Sequence, residues 1–399
     1  MIHLLAKMKK CKILIILSFL CISTIGCNDD NDFINTNCTN STYDGTIELN
    51  TQNEVDNFVN NCYGIITGQL RIYGNDITNL QGLQNLTFVS QLMIFNTDSL
   101  QNLDGLQNLT SVDILFLAQN NSLMNINGLQ NLTSVNIGLT IEHNGFLIDL
   151  YGLQNLTSVG GIFIWNNDSL ISLEGLQNVS SAVVDIDIYD NDALTNLEGL
   201  NNIPSVDTSL LIRDNIALIN LDGLNSLTSV NYLGITGNSS LTNIDSLLNI
   251  TSSLDSIFIS NNHSLTNIDG LQNITSVSND LIIRVNYILT NLNGLQSITT
   301  VGNELKISYN YALINLIGLQ NITSIGSQLK IIGNNTLTNL TGLQNIVSVG
   351  FVVNVSNNDI LADLCDIQPL CNNFTGEFQT QFNAYNPSLQ DIIDGNCSQ

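Results

Sequence analysis

The phrase Gly-Leu-Gln-Asn-Leu-Thr-Ser-Val at Gly105–Val112 returns with small changes down the chain. Its glycine recurs from Gly82 to Gly342 every 23 or 24 residues, with Ser246 standing in once. A short fixed period constrains the fold more than total length does, because a unit this small cannot bury an apolar face alone. Upstream of each phrase lies Leu-x-Ile-x-x-Asn-x-x-Leu, as in Leu305, Ile307, Asn310 and Leu313, or Ile186, Ile188, Asn191 and Leu194. Two apolar residues two apart give a strand with one inward face, and the Asn-Asn or Asn-Asp pair after it gives a turn. Each unit reads as strand, turn and apolar return. Stacked about 4.8 Å apart, the units make a mainly β, single right-handed β-solenoid of about 12–13 rungs, on the order of 60 Å long.

Two columns of the stack have a structural reading. An asparagine column, from Asn75 through Asn120 to Asn358 with Thr97 in one place, is expected to be buried, bonding backbone at the bends and its own copies in neighbouring rungs. The glycine is expected to permit a tight turn that a Cβ resists. The open ends of such a stack need covering, since an unpaired edge recruits other chains. Residues 38–68 are read as the N-terminal cap. It has a strand at Thr46–Asn50 and a capping box, Thr51 to Glu54, opening a helix to about Asn61 with Val55, Phe58 and Val59 on its apolar side. The repeats occupy 69–361, and Val353, Val355, Asn358 and Leu361 are read as the last rung. Residues 362–399 form the C-terminal cap, breaking the period, with a short helix after Pro387.

The first residues read as an export signal, 1–26. Lys7, Lys9, Lys10 and Lys12 precede the apolar run Ile13–Ile22 and the small-residue stretch to Gly26, in the order such signals require. Gly26-Cys27 resembles a bacterial lipobox, although Thr24 departs from its usual aliphatic residue. That resemblance makes Cys27 the lipidated residue and 27–37 a flexible tether. The run Asn28–Asp32 resembles the acidic signal that sends lipoproteins of some bacteria to the outside of the outer membrane. Plain secretion, or a lipoprotein facing the periplasm, are the alternatives. Beyond Lys12 only five cations stand against 34 carboxylates, which excludes nucleic acid as a partner because phosphate contacts need cations.

Five cysteines remain after the signal and Cys27, none of them within the repeats. They lie where small caps gain most from a covalent staple, and the pairs expected are Cys38–Cys62 and Cys365–Cys397, with Cys371 free. No cysteine pair has metal-finger spacing, so no metal is assigned. Glu174, Glu198, Asp222, Asp245 and Asp269 form a column before the glycine, read as solvated turn residues and not as a calcium ladder. His143 and His263 stand five rungs apart, about 24 Å, and cannot share a site. No nucleophile has an identifiable base and no phosphate-cradling loop occurs. The chain is therefore read as non-enzymatic, with no cofactor.

Side chains alternate along a strand, so the residues beside the inward pair face out. These include Tyr73, Phe95, Phe116, Phe163, Trp165, Tyr189 and Arg213, an aromatic strip expected to bind a glycan or protein ligand. The paired patterns Leu-x-Ile-x-x-Asn-x-x-Leu and Leu-x-Gly-Leu-x-Asn-Leu-Thr-Ser-Val resemble the receptor L-domain branch of leucine-rich-repeat-like proteins over roughly residues 45 to 397. That family is related to the ligand-binding domains of insulin and epidermal growth factor receptors and is common in bacterial surface lipoproteins. The resemblance implies a solenoid that binds ligands, in adhesion or nutrient capture. A spacer without a specific ligand is the competing expectation.

Overall fold

The computed structural model describes residues 41–399. The export signal, Cys27, the tether and Cys38 fall outside the described residues. Cys62 is disulfide-bonded. The described chain is mainly β, dominated by one parallel sheet of 17 strands, with a second sheet of three short strands and a few helices of one or two turns. Neighbouring strands along the sheet come from successive repeats. Leu210 and Ile212, for example, register with Ile186 and Ile188 on one side and with Leu233 and Ile235 on the other.

Each repeat supplies a fixed set of buried apolar residues. Between 205 and 228 these are Val206, Leu210, Ile212, Leu218, Leu221, Leu224 and Leu227, none more than 2% exposed. Burying one such side chain is worth roughly 1.5–3 kcal/mol. That gain is realised only when repeats cover both open sides of the layer, which ties the stability of each to its neighbours.

The bend after each strand is built from two residues. The first is left-handed, as at His143 with φ 55°, and the second is the column asparagine. Asn144 spans the bend, donating from Nδ2 to Glu142 O at 3.0 Å and to Leu117 O of the preceding repeat at 3.0 Å. Its Oδ1 accepts from the backbone N–H and side chain of Asn120, both at 3.1 Å. The bonds to the neighbouring repeats recur from Asn120 to Asn358, every member fully buried, while the bond across its own bend recurs at Asn167, Asn191, Asn215 and Asn238; Thr97 joins through Oγ1 at 2.6 Å from Asn120 Oδ1. Asn75 does not belong to the ladder. It is exposed, and Gly74 takes the equivalent place, its carbonyl accepting from Ile77 N because this first bend is one residue shorter. At the other end the ladder runs one step further than the period suggests. Strand Glu377–Gln381 pairs with Val352–Ser356, and Asn383 accepts from Asn358 at 3.0 Å. Asn386 Oδ1 then receives the Asn383 N–H at 2.9 Å, closing the ladder on a side chain.

The repeated phrase has its own geometry. Turn conformation explains only part of the glycine column. Gly105 has φ +120°, whereas Gly128 lies in a 3-10 turn without positive φ. What they share is contact: a Cβ on Gly105 would lie 2.0 Å from Leu80 O, and one on Gly128 would lie 1.9 Å from Leu103 O. Backbone of one repeat lies directly on backbone of the last, leaving room only for hydrogen. The asparagine of the phrase donates to a carbonyl one repeat back, as Asn108 does to Gln84 O and Asn131 to Gln107 O, both at 2.7 Å. Its threonine does likewise, Thr110 Oγ1 to Thr87 O at 3.0 Å.

At the N-terminal end, helix Gln52–Asn57 carries the reciprocal capping box between Thr51 and Glu54 and continues as a 3-10 turn, Phe58–Asn61. At the C-terminal end, Cys365 and Cys397 form a disulfide, and Ser388 and Asp391 cap helix Leu389–Ile393 reciprocally. Cys371 is free and 1% exposed, and burial pushes its thiol up to about 12. Cys371 will therefore resist iodoacetamide in the folded protein at mildly alkaline pH and react once the chain is unfolded. Peptide mapping after alkylation measures this, and rapid native labelling would show that the cap opens.

Candidate ligand-binding face

The outward residues of the long sheet align in columns. One runs Arg71, Met93, Phe116, Thr140, Phe163, Asp187 and Leu211. Its neighbour runs Phe95, Ala118, Glu142, Trp165, Tyr189 and Arg213. Tyr73, Phe95, Phe116, Phe163, Trp165, Tyr189 and Arg213 are all half-buried on this face. They do not form the continuous strip that the sequence suggests. Ala118, 3% exposed, and Glu142 interrupt the second column and separate two groups.

The smaller group lies at the N-terminal end. Tyr73 stacks on Phe95 with ring centroids 5.2 Å apart, and the Arg71 guanidinium sits 5.8 Å from the same ring. Glu48 holds both, 3.0 Å from Arg71 and 3.1 Å from the Tyr73 hydroxyl. Phe116 stands between this group and the next.

The larger group spans three adjoining strands, Gly161–Trp165, Val183–Tyr189 and Ser205–Arg213. Phe163 and Trp165 meet edge to face at 5.7 Å. Arg213 grips Asp187 with two hydrogen bonds, Nε to Oδ1 at 3.1 Å and Nη2 to Oδ2 at 2.6 Å, and its guanidinium lies 4.9 Å from the Tyr189 ring. Only arginine can make that fork and stack together. Burial raises the pKa of Asp187, 7% exposed, and the Arg213 guanidinium beside it opposes the rise. The Trp165 indole N–H is buried near that carboxylate, without a hydrogen bond of ordinary geometry. The result is a set of rings fixed by one another and by a part-buried ion pair on rigid strands. Such a surface suits stacking against a sugar ring or an apolar protein side chain, with the guanidinium as a directional donor.

Strand alternation points Asp187 outward, but its role as the anchor for Arg213 needs the cross-strand register. The stacked pair Tyr232 and Phe258, centroids 5.6 Å apart, was missed, although Phe258 follows from carrying the same alternation further. So was a ladder of His263, Tyr287 and Tyr311, stacked at 4.5 and 5.0 Å. Each of these follows a ladder asparagine directly, which is the signal that would have found them.

Elsewhere, Tyr151, Glu174, Gln177, Glu198, Gly199 and Asn201 line a shallow recess of about 320 Å³. The Tyr151 hydroxyl donates to Glu174, and that hydrogen bond together with the Glu174 charge raises the tyrosine pKa above its usual value. In the acidic column Glu174 is half-buried while Glu198, Asp222, Asp245 and Asp269 are exposed. Among the described residues, no three histidines, cysteines or acids converge as a metal site would need, and no helix is long and apolar enough to cross a membrane.

The fold and this face define the class no more narrowly than a repeat protein of parallel strands with an ordered aromatic surface. No protein family matches the chain, and no curated protein matches its sequence.

Proposed function

We propose that the chain is a non-enzymatic surface protein whose sheet face binds a glycan or protein ligand, in adhesion or nutrient capture. In this reading the repeats close into a right-handed β-solenoid of receptor L-domain type. Cys27 carries the lipid, anchoring the protein to a bacterial outer membrane with its repeats facing the exterior. The observation that carries the binding role is the group formed by Phe163, Trp165, Tyr189 and Arg213, locked by Asp187. None of these side chains is needed to fill the core, which the inward Leu and Ile columns complete. Holding rings rigid before a ligand arrives lowers the entropy cost of binding.

The test is an array of glycans and surface proteins probed with the full chain and with a Phe163→Ala, Trp165→Ala variant. The parent is expected to bind a defined ligand class, and the variant to lose roughly tenfold or more in affinity while keeping its circular dichroism. If neither binds any array member, the protein is better described as a spacer whose repeats serve to build length.

A further inference from the structure

We propose that the same sheet carries a second site, for an anionic saccharide bearing carboxylate or sulfate groups, built from Arg284, Lys306 and Lys330, with Tyr309 at the bend that follows the Lys306 strand. This goes beyond the aromatic group and does not depend on it, since the two occupy different strands.

The first observation is where the cations are. Beyond Lys12 the chain has five, Arg71, Arg213, Arg284, Lys306 and Lys330, and all five sit at outward positions of the long sheet. Each repeat offers only a few such positions, and the many other exposed sites carry no cation. Three of the five fall on the consecutive strands Leu281–Arg284, Glu304–Ser308 and Gln328–Ile332.

The second observation is that the three are under-compensated. Arg71 and Arg213 each have their own carboxylate, and Lys330 meets Glu304 at 2.9 Å. Among the described residues, Arg284 and Lys306 form no salt bridge. Lys306 lies directly opposite Lys330, an arrangement of like charges that works against strand pairing. Burial lowers the pKa of the half-buried Lys306; Glu304 opposes this, while Lys330 and Arg284 add to it. In a chain with 34 acids, leaving these cations crowded together is a cost that a bound anion would remove.

The third observation identifies the ligand class. On the Lys306 strand the chain continues through Ser308 to Tyr309, which is left-handed with φ 58° and 42% exposed. Its ring rests on Gly333, where a Cβ would come within 2.5 Å of it. The left-handed residue of this bend is thus a large aromatic, packed against the next repeat where the Lys306 strand ends. Tyr311 follows two residues on at the same bend, stacked on Tyr287 of the preceding bend at 5.0 Å, and both are exposed. Phenol rings on the bends that follow strands carrying ammonium and guanidinium groups suit an extended ligand with hydroxyls, apolar ring faces and spaced anions. A nucleic acid fits less well, because its denser charge would meet the carboxylates of the rest of the surface. Those charges are screened over about 8 Å at physiological salt, so a ligand confined to the patch is spared them.

Binding of the full chain to immobilised polygalacturonate, dextran sulfate and neutral dextran, at low and high salt, tests this. The expected result is binding to one or both anionic polymers and not to dextran. Affinity should fall roughly tenfold or more with added salt, and by a similar factor in an Arg284→Gln, Lys306→Gln variant of unchanged circular dichroism. Which polymer binds assigns carboxylate or sulfate. The Phe163→Ala, Trp165→Ala variant should bind as the parent does. The proposal is overturned if the anionic polymers bind no better than dextran, or if the charge variant binds them as well as the parent. Loss in the aromatic variant as well would mean one shared surface, not a second site.

Discussion

An Asn238→Leu substitution should lower stability by on the order of 4 kcal/mol, the largest effect of any single change in the repeats. Asn238 is fully buried and makes four kinds of contact at once. Its Nδ2 donates to Ile212 O at 2.9 Å and Thr236 O at 3.2 Å, and its Oδ1 accepts from Asn215 N at 3.1 Å and Asn215 Nδ2 at 3.4 Å. Leucine has similar bulk and fills the space, so the loss comes from polar groups stranded in a dry interior, each costing about 1–3 kcal/mol. Asn262 also loses a donor to its Oδ1, carrying the damage one repeat further. Denaturant unfolding followed by circular dichroism measures the difference. Asn75→Ala is the control: it lies outside the ladder and should change stability by less than about 0.5 kcal/mol. Equal effects at the two positions would show that the ladder is ornamental and that apolar packing alone sets the stack.

Gly128→Ala should cost on the order of 3 kcal/mol, although it adds a single methyl group in an ordinary backbone conformation. The Cβ would lie 1.9 Å from Leu103 O and 2.3 Å from Leu103 C. Neither atom is the end of a flexible side chain, so relief requires the two repeats to part and weakens the packing between them. The chain contains its own control in Ser246, where a Cβ already occupies the column and Oγ donates to Asp222 Oδ1 at 3.1 Å. There the backbones have adjusted, and Ser246→Gly should shift the melting temperature little. A mild effect at Gly128 would mean that the repeats slide freely on one another, and turn conformation would again become the better account of the column.

These two residues show how unevenly the sequence discloses its reasons. The buried asparagine was legible because a polar residue recurring among leucines must find partners inside. The glycine was equally visible, but its cause was not, since Gly105 and Gly128 differ in φ and share only a neighbour one repeat away. Asn75 fits the pattern by count and fails by one deleted residue in its bend. Asn383 lies outside the pattern and yet continues the ladder.

The candidate face divides the same way. Alternation along a strand is a local property, so the outward placement of Phe163, Trp165, Tyr189 and Arg213 could be read from the chain itself. Whether they form one strip or two groups depends on the residues that register places between them, Ala118 and Glu142. The grip of Arg213 on Asp187 joins residues 26 apart in the chain. The sequence alone determined the period, the inward columns and the facing of each side chain, because these follow from spacing within one repeat. Which side chains touch, which cations lack a carboxylate and why the glycine cannot change were decided by the stacking of one repeat on the next. That contact lies perpendicular to the chain, where short-range periodicity carries no information.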